Sequence, residues 1–71
     1  MIYIILYAIL DPSNPGSKIG GLYHSFSRNL SDAQNRFDEL ILTNDCCRKE
    51  IWQDDGNGYR RLIAQEEYKG A

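Results

Sequence analysis

At 71 residues and 8.2 kDa the chain allows one domain, because folding at this size buries only about 60% of the unfolded surface and leaves nothing for a second core. Its 42% apolar fraction, with five Tyr, two Phe and one Trp, excludes a disordered chain, and a net charge of −2 lacks the basic excess that phosphate neutralisation calls for. Cys46 and Cys47 are sequence neighbours that would close a strained ring, so they give no sign of a secreted disulfide scaffold, and reduced thiols in a cytoplasmic protein are expected.

The first ten residues, Met1 to Leu10, carry no polar group beyond the Tyr hydroxyls. A spanning helix needs about 20 such residues and Asp11-Pro12 ends the run at half that, so no membrane segment is expected; nor is there a basic start or cleavage site for a secretory signal. The Ile- and Tyr-rich stretch from Ile2 to Leu10 reads instead as a buried strand in the middle of a sheet. Ile2, Ile4, Leu6 and Ala8 point one way, and Tyr3, Ile5, Tyr7 and Ile9 the other.

Asp-Pro-Ser-Asn-Pro-Gly-Ser at residues 11–17 reverses the chain, and Lys18 to Phe26 reads as a weaker strand whose Gly20-Gly21 marks a bulge. Ser31-Asp32-Ala33-Gln34 matches a capping box, so a helix of about three turns is expected from Ser31, burying Ala33, Phe37, Leu40 and Ile41 and stopping near Asn44-Asp45. Arg48 to Gln53 and Tyr59 to Gln65 flank Asp-Asp-Gly-Asn-Gly, a strong hairpin signal. With an even loop Ile51 would sit opposite Leu62 on the helix side, leaving Trp52, Arg61 and Ile63 on the reverse side; an odd loop would shift that pairing by one.

The expected architecture is therefore a single α+β domain over residues 1–71, a two-layer ββαββ unit with one helix on a four-stranded, largely antiparallel sheet. A βαββ alternative would make residues 18–28 an unusually long structureless loop. One helix of about twelve residues is roughly 18 Å long and cannot cover both faces of a sheet. The face left open is expected to carry Tyr3, Ile5, Tyr7, Trp52 and Ile63, with Tyr59, Arg60 and Arg61 beside them, a composition enriched at binding hot spots. A protein partner or a second copy forming a homodimer is expected to cover it, although Tyr is also common on strands for its β propensity alone.

No enzymatic constellation emerges. His24 is the only histidine, and Ser25 beside it should point to the opposite face of a strand, which leaves no Ser-His pair for catalysis. Cys46 and Cys47 lack the CxxC spacing for zinc and no cofactor is expected, leaving a small metal or thiol-redox protein as a minor alternative. The segment 16–21 is no phosphate cradle, and residues 54–58 lack the closing Glu of a calcium loop. Single-stranded nucleic-acid binding by stacking on Tyr3, Tyr7 and Trp52 is a second alternative, opposed by the acidic balance and by arginines interleaved with acids.

The turn-rich first hairpin, the capped helix opening Leu30-Ser31-Asp32-Ala33, and the closing hairpin Glu50-Ile51-Trp52-Gln53 to Tyr59-Arg60-Arg61-Leu62 together resemble small bacteriophage accessory proteins. Many of these are inhibitors seated on a host enzyme or defence complex, anti-CRISPR proteins and inhibitors of host RNA polymerase among them. The resemblance implies a protein-binding inhibitor; it assigns no target and carries over no functional position.

Overall fold

A computed structural model describes residues 1–70, with Ala71 outside the described residues. The elements are β1 (Ile2–Leu10), β2 (Lys18–Ser27), α1 (Leu30–Glu39), β3 (Cys46–Asp54) and β4 (Arg60–Glu67). The class is α+β: one helix on a four-stranded antiparallel sheet in the order β2-β1-β3-β4. β1 occupies the interior of the sheet, as a strand with no polar face must. The molecule measures 36 × 24 × 15 Å, and its thin third dimension has room for one helix on a sheet and nothing beyond.

Residues paired across an antiparallel ladder share a face, so the ladders fix which side chains look towards α1. Ile5 pairs with Ile51, and Ile51 with Ala64. Ile5 and Ile51 join Ala33 and Phe37 of the helix in the core, with Tyr3, Leu40, Ile63 and Ala64 packed around them. Tyr3 opposite Gln53 and Tyr7 opposite Lys49 lie on this same face. That overturns the expected open-face placement of Tyr3, Ile5, Tyr7 and Ile63. With both sides of β1 apolar, the phase of the sheet is set by which β3 residues it meets, and a single strand's pattern does not contain that information.

The helix starts earlier than its Ser31 signal. Asn29 is the N-cap, its side chain accepting from the Asp32 amide at 3.2 Å, while its own amide donates to Ser27 Oγ at 3.1 Å. Asp32 then sits in the first turn, where its negative charge favours the helix end, and bonds Arg36 one turn on at 2.9 Å. The helix also stops early: Leu40 is the C-cap and its backbone leaves the helical region, so Ile41, expected on the buried stripe, is 69% exposed. Ten residues span about 15 Å. α1 accordingly rests on β1, β2 and β3 and does not reach β4.

The β3–β4 hairpin closes through residues 55–59, an odd loop, with Gly56 and Gly58 at φ of 85° and 91°, where a Cβ would be strained. Asp54 pairs with Arg60, Gln53 with Arg61 and Trp52 with Leu62; a bulge follows, so Ile51 meets Ala64 with Ile63 between the ladders. The even-loop pairing of Ile51 with Leu62 is thus replaced, Leu62 moves to the side away from α1, and Arg61 moves to the helix side with Gln53 and Tyr3.

Candidate interaction surface

The face away from α1 is built in rows, one residue per strand. Phe26 of β2, Ile4 of β1, Trp52 of β3 and Leu62 of β4 are successive ladder partners and form an unbroken apolar row across the sheet. At about 4.8 Å between strands the row is about 15 Å long. Tyr23, Leu6, Glu50 and Gln65 make the next row by the same pairings. Among the described residues no element lies over either. Phe26 is 50% exposed, Tyr23 59% and Leu62 40%, whereas Ile4 between Phe26 and Trp52 is only 7% exposed, shielded by side chains of its own sheet.

Charges frame the rows in opposite-sign pairs. Arg60 Nε bonds Asp54 Oδ2 at 3.0 Å at one end. At the other, Arg48 Nε lies 3.6 Å from Glu50 Oε2, an ion pair rather than a hydrogen bond. The Arg48 guanidinium extends over Ala8 towards β2, where only glycine leaves room: a Cβ on Gly20 would stand 2.7 Å from Nη2. Ala8 is fully buried in consequence. Asp54 accepts from the Gly56 amide and then from Arg60, and these two bonds hold its carboxyl below the usual carboxylate range.

Of the side chains expected on this face, Trp52 and Arg60 are there. Tyr59, 66% exposed, stands at the hairpin loop beside it. Phe26, Leu62 and Tyr23 take the places given to Tyr3, Ile5 and Tyr7. Phe26 closes the expected second strand, but its face depended on the bulge that shifts register between Ile5 and Leu6.

The same bulge alters His24. Ser25 pairs with Ile5 and Tyr23 with Leu6, so His24 falls between ladders and alternation fails there. Its Nδ1 lies 2.8 Å from Ser25 Oγ, against the expectation that the two point apart, and its ring meets Tyr7 edge-on at 6.5 Å. No carboxylate hydrogen-bonds the ring among the described residues. Cys47 is buried, its thiol donating to the Ala8 carbonyl at 3.6 Å. Burial, then the neighbouring Cys47, push the Cys46 thiol up, away from the reactive thiolate. Among the described residues no three His, Cys, Asp or Glu side chains are grouped to hold a metal ion, and no helix is long and apolar enough to cross a membrane.

Comparison with models of known protein families, with characterised proteins and with solved structures yielded no match.

Proposed function

We propose that this protein is a small non-enzymatic module that binds another protein through its open sheet face, in the manner of the phage-type inhibitors its layout resembles. The row Phe26, Ile4, Trp52 and Leu62 carries this reading: large side chains from four strands form one contiguous apolar strip with Phe26 and Leu62 still half exposed. An aromatic centre framed by ion-paired arginines is the composition of an interface core and its rim. Arg48 and Arg60, the arginines on this face, are each engaged by an acid, which disfavours a phosphate-tracking surface.

The test is association with and without the strip. Phe26→Ser and Leu62→Ser should each keep the fold and weaken partner binding by about 2 kcal/mol, the loss typical of a truncated hot spot. Association that strengthens for single-stranded nucleic acid at low salt and vanishes at high salt would replace this reading with the stacking alternative.

A further inference from the structure

The outer edge of β4 has an order of charge that complements itself. Its sequence is Arg60-Arg61-Leu62-Ile63-Ala64-Gln65-Glu66-Glu67, with both cations at the start and both acids at the end. We propose that two copies of the chain pair antiparallel along this edge, Arg60 and Arg61 of one meeting Glu67 and Glu66 of the other, to join two four-stranded sheets into one.

The bulge makes this register possible. Cross-strand partners must point to the same face, and in a regular strand Arg60 and Glu67, an odd number of residues apart, would point to opposite ones. In β4 the ladder slips by one between Leu62 and Ala64, so Arg60, opposite Asp54, and Glu67, opposite Arg48, share the open face. Arg61, opposite Gln53, and Glu66, opposite Lys49, share the helix face. Antiparallel self-pairing then places Leu62 beside Gln65 on the open side and Ile63 beside Ala64 at the twofold axis. Every facing agrees.

Charges on an edge strand ordinarily deter sheet extension; segregated by sign, they deter all registers but one. The helix-face pair is available, while Arg60 on the open face would share its guanidinium between Asp54 and the second copy. Arg61 makes no ion pair among the described residues, and Glu66 is 59% exposed despite lying 3.7 Å from Lys49 Nζ. The opposite edge is a poor competitor, because β2 carries the cation Lys18 but no acid to pair with it in a second copy, and has two register shifts where β4 has one. Pairing β4 with β4 therefore closes at a dimer and leaves the open faces of both copies side by side and accessible. The inference stands independently of what the open face binds.

Sedimentation velocity across micromolar to near-millimolar concentration tests it. Wild type should show a monomer–dimer equilibrium that shifts to monomer as salt screens the cross-strand pairs. Arg61→Glu and Glu66→Arg should each raise the dimer dissociation constant about tenfold or more, by turning two attractions into repulsions. An equimolar mixture of the two variants should recover a dimer, since both of its cross pairs are again opposite in sign. Glu66→Arg also removes a partner of Lys49, so hydrogen exchange on wild type supplies a readout that needs no variant: β4 amides should slow on concentration. A strictly monomeric wild type, a dimer indifferent to Arg61→Glu, or a dimer whose β4 amides exchange as fast as in the monomer overturns the proposal.

Discussion

Lys49 shows how one residue joins the two layers. It sits on the helix side of β3, almost fully buried, and its Nζ donates to the Phe37 carbonyl at 2.7 Å while lying 4.3 Å from the centre of the Phe37 ring. A cation at the last turn of α1 gives the Phe37 carbonyl a second donor beside the Leu40 amide at 3.2 Å, and meets the negative end of the helix dipole. The alkyl stem meanwhile contributes apolar area to the core. Lys49→Met keeps the stem and removes the donor, and should destabilise by about 1.5–3 kcal/mol in urea unfolding, the range for a hydrogen bond to a charged group. A change near zero would show that water reaches the carbonyl instead. In the sequence Lys49 stands between Arg48 and Glu50, and nothing local marks it as buried.

Asp54 carries a pH dependence whose sign is fixed by its partners. The Gly56 amide, then Arg60, lower its pKa from 3.8, so its contribution to stability is present above that value and is lost as pH falls below it through the folded pKa. Asp54→Asn should flatten the acid limb of the stability profile below about pH 4 and leave the neutral side with a pH-independent loss. An unchanged acid limb would remove Asp54 from the hairpin's support.

At the level of the elements, the helix was legible in its existence and mistaken in its limits. Asn29 and Ser31 are both good caps, and Ser31 drew the eye because Gln34 completes a box with it. Asn29 prevails in the fold because β2 ends at Ser27, whose hydroxyl accepts from the Asn29 amide and fixes the entry of the chain. Asn29→Ala should cost about 1 kcal/mol and Ser31→Ala much less, by thermal or urea melting. The reverse order would restore the start at Ser31. The β3–β4 hairpin was equally legible from Gly56, Asn57 and Gly58, but its register was not: a bulge at Ile63 depends on how Ile63 and Ala64 pack against the core cluster around Ile51, a tertiary matter.

For the whole molecule, composition and pattern were enough to place β1 centrally, to find one helix and four strands, and to leave one sheet face bare. Which residues stand on that face was only partly legible. Trp52 was placed correctly and Arg60 lies beside it as expected, whereas Tyr3, Ile5, Tyr7, Arg61 and Ile63 went to the helix side through the ladders with β3 and the β4 bulge. A strand apolar on both sides gives no phase, and the register shifts in β2 and β4 hide the phase of the edge strands. Phe26 and Leu62 lie on the far side of the sheet from Phe37 and Ala33, and Phe26 beside Ile4 serves only to cover that strip residue. Their polar replacement should therefore cost about 1 kcal/mol each, the loss for a half-buried apolar side chain, and leave the helix–sheet core intact.

The most direct measurement is affinity capture with wild type and with the Phe26→Ser, Leu62→Ser double variant, at matched stability. The expected result is a protein retained in stoichiometric amount by wild type and lost from the double variant. Identical retention by both, or a double variant that no longer folds, would contradict an open face that serves binding rather than the core.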